Sequence, residues 1–395
     1  MKLKDVATIK HGFPYKGEYF TDVPTKNILL TPTNFTLKGG FQYANRYYSN
    51  EGEMPEEFNL HKDDLIVTMT DLSKEIDTIG YGALIPDDPN HVFLHNQRIG
   101  LVTIFNPIVD KYYLYWLMRT KFYQRTIAGA SNGATVHHTS PDRILSFNWI
   151  FPSLDNQKKI ASILSAYDSQ IENNKKRIKL LEQMAENLYK EWFVRFRFPG
   201  YETAEFEGGV PKGWKRVSLR EYANVIMGQS PESCFYNTEK LGLPFHQGCG
   251  SYGEFYLRDD IYSTEGKRIA EPNSIIFSVR APVGRINLTL NKIILGRGVA
   301  GINAKNNNNA FLLWLLKQKF SKEDIIGNGA IFTSVTKNEL LGQKLLIPNK
   351  ELERKFNIIA SNIETEIKLL TLQKEVLTTQ RDLLLPRLMS GKLSI

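Results

Sequence analysis

The stretch that decides the architecture is residues 155–196, DNQKKIASILSAYDSQIENNKKRIKLLEQMAENLYKEWFVRF. Taken at alternating spacings of four and three it reads Ile160, Leu164, Tyr167, Ile171, Asn174, Ile178, Leu181, Ala185, Leu188 and Trp192, with nine of the ten apolar. A 3.5-residue repeat held that long is the seam of a coiled coil. At 1.5 Å per residue the helix is roughly 60 Å long, and a helix of that length needs a partner to cover its stripe. The chain supplies one. Adding 196 to each number gives Phe356, Ala360, Ile363, Ile367, Leu370, Lys374, Leu377, Arg381, Leu384 and Leu388, eight of them apolar. The polar seam residues Asn174, Lys374 and Arg381 cost stability and either fix register and partner or mark where the pair frays or meets another protein.

Outward from the first helix, Ser153 and Asp155 are plausible N-caps, and Phe198-Pro199-Gly200 is a strong stop. Residues 1–152 read as a first globular unit, with short strands at 27–33, 64–70, 81–86 and 99–105 and one amphipathic helix over 112–126. Residues 199–213 form a linker, 214–348 a second unit, and 349–395 the second long helix and tail. Asn349 is the N-cap there, and Pro386 is expected to kink or end the helix.

The second unit repeats the first. Leu219 to Gly228 echoes Leu3 to Gly12, residues 274–280 echo 64–70, and Leu312-Leu-Trp echoes Leu114-Tyr-Trp. The offsets shrink from 216 to 196 while the intervening sequence differs almost completely. The expected fold is mixed α/β, with two similar globular domains separated by two long helices in an antiparallel coiled coil, related by a pseudo-two-fold internal repeat.

Composition narrows the function. The 395 residues carry a net charge of +8, which favours a polyanionic partner. Two cysteines without a CxxC spacing suggest a reducing compartment. No signal-peptide core and no run of 18 apolar residues is found, so the expectation is a cytoplasmic protein without a membrane partner. Catalytic motifs fail in turn. Gly296-Arg-Gly-Val-Ala-Gly301 fits GxGxxG, but asparagines follow where a helix should start, so a strand with a glycine kink is the better reading. Asn106-Pro107-Ile108 lacks the rest of a methyltransferase motor motif, no phosphate-cradling loop occurs, and the seven histidines lack metal spacing. No catalytic residue, metal or cofactor is expected.

What remains is basic and aromatic residues in the variable loops. Arg46 and Tyr47 lie among tyrosines in Phe41-Gln-Tyr-Ala-Asn-Arg-Tyr-Tyr48. Thr135, His137 and His138, with Thr333 in the repeat, lie before a short helix whose N-terminus suits a phosphate. Arg280, Arg285 and Arg297 mark the second unit, with Arg98 expected in the place of Arg297 in the first. Arginine suits the O6 and N7 edge of guanine. The run Lys175-Lys-Arg-Ile-Lys179 reads better as a solvated helix face than as a phosphate clamp.

Two variable units alternating with two repeated helices resemble the specificity subunit of type I restriction–modification systems. The residues that carry the likeness are Phe151-Pro-Ser-Leu-Asp-Asn-Gln-Lys-Lys-Ile-Ala161, Glu191-Trp-Phe193, Val210-Pro-Lys-Gly-Trp214, Val67-Thr-Met-Thr-Asp-Leu-Ser-Lys74 and Leu384-Leu-Pro-Arg-Leu-Met-Ser-Gly-Lys-Leu393. The resemblance spans the chain. It implies two target-recognition domains reading a bipartite, asymmetric site on double-stranded DNA. It further implies two modification subunits that use S-adenosylmethionine docked on the helices, and restriction subunits that use ATP and magnesium. The family has no catalytic residues of its own to carry over. A coiled-coil scaffold whose domains bind proteins is the alternative, and a stand-alone methyltransferase or nuclease is a third.

Overall fold

The computed structural model describes residues 1–71, 77–131, 137–321, 325–326, 330–331 and 334–393. They form two compact units, Met1–Glu172 with Glu375–Ile395, and Asn173–Lys374. Each long helix gives one stretch to each unit.

In the first unit a four-stranded antiparallel sheet runs in the order Ala7–His11, Ile99–Ile104, Leu65–Thr68, Gly82–Leu84. The run Leu65–Thr68 is buried throughout, as a strand covered on both faces must be. Its alternation decides which layer each residue enters. Leu65, Val67 and Met69 pack on the helices, while Ile66 joins Ile28, Phe93 and Ile99 against a second sheet. That second sheet has five strands, ordered Phe20–Thr21, Tyr47–Tyr48, Asn27–Leu29, Val92–Leu94, Asn59–Leu60, with Asn27–Leu29 parallel to Val92–Leu94.

The second unit has the same plan. Its four-stranded sheet runs Ala223–Met227, Val299–Ala304, Ile275–Ser278, Ile286–Leu288. Its five-stranded sheet runs Tyr236–Asn237, Tyr262–Ser263, Leu243–His246, Ile293–Leu295, Ile269–Ala270, again with one parallel pair, Leu243–His246 beside Ile293–Leu295. Ile275, Phe277 and Val279 pack on helices, and Ile276 faces the other layer. Two units with unlike loops thus bury the same alternation at the same places.

The expected single helix over 112–126 is two helices, Lys111–Leu117 and Lys121–Gly129. Thr120 makes the break. Its hydroxyl donates to Leu117 O at 2.8 Å and accepts from Tyr123 N at 3.2 Å, acting as an N-cap within the apolar pattern. The repeat carries Gln318 at this place, and its helix Asn309–Lys319 runs through it without a break.

The long helices span Leu154–Tyr189 and Lys350–Met389. Asn349 Oδ1 caps the second by accepting from Leu352 N at 2.8 Å. The first ends in a wide π turn, Lys190–Val194, rather than running regularly to Phe196. The extra residue in that turn lets Trp192 and Phe193 both be buried. Pro386 does not end the second helix, which continues to Met389. Leu385, Leu388 and Met389 are buried against Ile160 and Leu164, and this packing offsets the lost backbone donor.

Within each unit the helices are antiparallel. In the first, Asp168 meets Arg381 while Ile160 and Leu164 cluster with Leu384 and Leu388. In the second, Asn174 meets Gln373, Arg177 meets Glu366, and the Trp192 ring lies 5.9 Å from Phe356. Of the seam residues, Ile160, Leu164, Ile171, Asn174, Ile178, Ile363, Ile367 and Leu370 are buried, and Leu181, Leu188, Leu377 and Leu384 are half-buried. Each polar seam residue has a partner. Asn174 Nδ2 donates to Gln373 Oε1 at 3.0 Å, Lys374 Nζ pairs with Glu254 Oε2 at 3.0 Å, and Arg381 pairs with Asp168.

Candidate nucleic-acid interface

In both units one end of the four-stranded sheet gathers the same four pieces of chain. The strand Ile275–Ser278 leaves the four-stranded sheet of the second unit and continues as Val279–Arg280, where Val279 N donates to Gly298 O at 2.9 Å and Val335 N to Val279 O at 2.8 Å. Arg280 bridges to Ser334. Ser278 N donates to Arg285 O at 2.9 Å. The turn 296–298 is pinned by Gly296 N to His246 O at 2.8 Å and Gly298 N to Gln247 O at 3.0 Å. The structure therefore brings Arg280, Arg285 and Arg297 to one sheet end, all three exposed.

The first unit builds this end likewise. Met69 N donates to Arg98 O at 3.1 Å, Thr139 N to Met69 O at 3.0 Å, and Gln97 N to Phe13 O at 3.1 Å. His137 and His138 pair with Asp71 and Thr70, and His138 Nδ1 lies 3.2 Å from Thr70 Oγ1. Arg98, His137 and His138 are thus neighbours although about 40 residues separate them in sequence. Arg98 and His138 are exposed, and His137 is half-buried.

Close approach at this end demands glycine. A Cβ on Gly12 would lie 2.1 Å from His95 O, and one on its repeat Gly228 would lie 2.0 Å from Gly296 O. Both turns are held against the first strand of their sheets.

Arg98 does not occupy the place of Arg297. The strand Ile99–Ile104 pairs through Ala7↔Ile104 and Val299–Ala304 through Ala223↔Ala304, an offset of 200. The backbone bonds agree, since Met69 N is held by Arg98 O and Val279 N by Gly298 O. Arg98 therefore matches Gly298, and Gln97 matches Arg297. Gln97, Gln229 and Gln247 are exposed at these sheet ends. Sequence reading passed over them because an isolated glutamine in a loop carries no pattern.

Other expected contacts fare differently. Arg46 is exposed, with Asp22 Oδ1 at 3.8 Å. Tyr47 is half-buried and packs with Phe41 on the core between the sheets, so its ring is used internally. Tyr43 nearby donates to Asp88 Oδ2 at 2.8 Å. Thr135 and Thr333 lie outside the described residues. Lys175, Lys176 and Lys179 are exposed on the first long helix. The GxGxxG stretch is strand, turn and strand, with no helix to receive a phosphate. No group of three or more metal-ligating side chains occurs among the described residues, and no helix there is long and apolar enough to cross a membrane.

Comparison with known proteins agrees with this geometry. The chain matches the family described as type I restriction modification DNA specificity domain twice, over residues 1–183 and 211–379. A relative from Methanocaldococcus jannaschii, assigned as the MjaX specificity subunit of a type I restriction enzyme, is 30% identical over 328 residues, covering 80% of this chain and 76% of its own. The type I restriction enzyme HindI specificity subunit of Haemophilus influenzae is 23% identical over 398 residues, covering 79% and 86%. The crystal structure of a type I restriction–modification system S subunit from M. genitalium shares the fold, with a TM-score of 0.62 and 17% identity over 98% of this chain and 95% of that one. Two copies of one scaffold, each ending in a polar and basic sheet edge and joined to paired long helices, belong to a single family: this chain is a member of the type I restriction–modification DNA-specificity family.

Proposed function

We propose that this chain is the sequence-specific DNA-recognition subunit of a type I restriction–modification complex, reading a bipartite, asymmetric site with one half-site per unit. The observation that carries the reading is the repeated sheet end: one backbone arrangement presents Arg280, Arg285 and Arg297 in one unit and Gln97, Arg98 and His138 in the other. A common frame with different exposed side chains suits two different base sequences, while the net charge of +8 suits the duplex backbone.

The two half-sites lie about one helical turn of DNA apart, and the paired helices offer the docking surface for two modification subunits. Restriction subunits join that assembly. S-adenosylmethionine, ATP and magnesium belong to those partners. This chain is not itself an enzyme and works in the cytoplasm.

The test replaces residues 1–152 with the matching unit of a relative that has different loops, and sequences the methylated bases of a host carrying the complex. One half of the motif is expected to change while the other half and the spacer persist. Both halves changing together, or a shifted spacer, would overturn the modular reading.

A further inference from the structure

Gln97 and Arg297 stand at one backbone position of the repeated scaffold, at the middle of the turns 96–98 and 296–298. The turns are closed alike, Ile99 N to Asn96 O at 2.9 Å and Val299 N to Gly296 O at 3.1 Å. Each is held from outside as well. Gln97 N donates to Phe13 O at 3.1 Å, and Gln97 O lies 3.1 Å from His11 Nδ1. Arg297 N donates to Ser230 Oγ at 3.2 Å, in the segment that follows the matching first strand. The backbone beneath both side chains is therefore fixed.

The side chains themselves are uncommitted. Both are exposed, and neither makes a side-chain hydrogen bond or ion pair among the described residues. Their neighbours do not share this equivalence. Arg98 matches Gly298, which has no side chain, so that position suits a phosphate contact in one unit only.

We infer that Gln97 and Arg297 are equivalent specificity-determining residues, each reading one base pair of its own half-site, Gln97 an adenine and Arg297 a guanine. The chemistry follows from the side chains. A glutamine amide matches the N6 donor and N7 acceptor of adenine, and a guanidinium matches the O6 and N7 acceptors of guanine. A rigid turn is what such bidentate contacts need, because the discrimination is lost when the donor pair can swing. The inference rests on the reading of the chain as a DNA-recognition subunit.

The experiment uses the full chain assembled with its modification partners. Wild type, Gln97→Arg, Arg297→Gln, Gln97→Ala and Arg297→Ala are compared by the methylated motif in the host. They are also compared by binding to duplexes in which each base pair of the wild-type motif is changed singly. Gln97→Arg is expected to exchange one A·T pair for G·C in one half of the motif. Arg297→Gln is expected to make the reverse exchange in the other half. Each alanine variant should lose about 10- to 100-fold discrimination at one base pair only, with unchanged thermal melting. The duplex panel scores each variant even where methylation in the host is lost. A wild-type motif with variants that leave every base preference intact would overturn the inference alone. So would losses spread evenly over all positions, or a fall in melting temperature. A wild-type complex with no sequence preference would overturn the recognition reading and this inference with it.

Discussion

Arg119 donates from Nη1 to Asp168 Oδ2 at 2.6 Å, and the other oxygen of Asp168 accepts from Arg381. One carboxylate on the first long helix thus holds a guanidinium from the recognition fold and another from the second long helix. Arg119 also donates to Tyr115 Oη at 2.7 Å, and its side chain is only 6% exposed. The repeat counterparts are Lys317, Glu364 and Ala185, and they do not reproduce the cluster. Lys317 Nζ turns to Glu182 Oε1 at 2.6 Å, leaving the Glu364 carboxyl oxygen Oε1 buried without a hydrogen-bond partner among the described residues. The same frame carries an ion-pair cluster in one unit and a half-buried glutamate with one unpaired carboxyl oxygen in the other.

Asp168→Ala leaves two buried arginines without their shared carboxylate. Breaking a buried pair by removing one member costs about 3–5 kcal/mol. Urea unfolding should show the first unit melting early, with the second unit's transition unmoved. A single unshifted transition would mean that solvent reaches the arginines and satisfies them.

Burial pushes the Glu364 carboxyl up from the usual 4.5 to about 8, against the pull of nearby Trp314 and Lys317. The native state therefore holds a proton that the unfolded chain releases near pH 4.5. The group's contribution to stability is fully present below that pH and is lost as pH rises through about 8. Glu364→Gln should match wild type near pH 4 and exceed it by on the order of 5 kcal/mol at pH 9. Parallel stability curves for the two proteins across this range would refute the assignment.

The seam predicts where truncation hurts. Ile367 is fully buried at the helix pair, whereas Leu369, two residues on, is 57% exposed. Ile367→Ala should cost about 2–5 kcal/mol and Leu369→Ala no more than about 0.5 kcal/mol. Leu181→Asp, at a half-buried seam position, should weaken assembly with the modification subunits while both recognition folds keep their own circular dichroism. Equal effects of Ile367→Ala and Leu369→Ala would contradict the seam.

Salt dependence separates the two basic regions. Replacing Arg280 with Gln should lower the slope of log K against log salt by about 0.9 for the phosphate contact removed. Replacing Lys175, Lys176 and Lys179 with Gln should leave slope and affinity of the assembled complex unchanged. Their neighbour Arg177 is taken by Glu366 at 2.8 Å, as befits a solvated helix flank. A shallower slope for the triple variant would make this flank a phosphate clamp.

The sequence by itself determined the features that depend on local periodicity. Ile160 to Trp192 recur every 3.5 residues, and only a helix with a partner buries such a stripe, so the helix pair and its register could be read directly. The duplicated plan was equally readable, because Leu3 and Leu219, or Trp116 and Trp314, hold the same burial in each copy. Tertiary structure decided what depends on partners distant in the chain. The order of strands, with one parallel pair in each five-stranded sheet, leaves no local pattern. The match of Arg297 to Gln97 instead of Arg98 turns on a one-residue register that backbone hydrogen bonds set and drifting sequence offsets blur. Tyr47 and Arg46 are adjacent and looked alike as contacts, yet the pleat sends the tyrosine to the core and leaves the arginine outside. Thr120 broke a helix that apolar spacing carried straight through, because its hydroxyl satisfied the backbone of both ends at once. Local pattern fixes which face of an element is apolar; only packing against the rest of the chain decides which polar side chains are left free to meet a ligand.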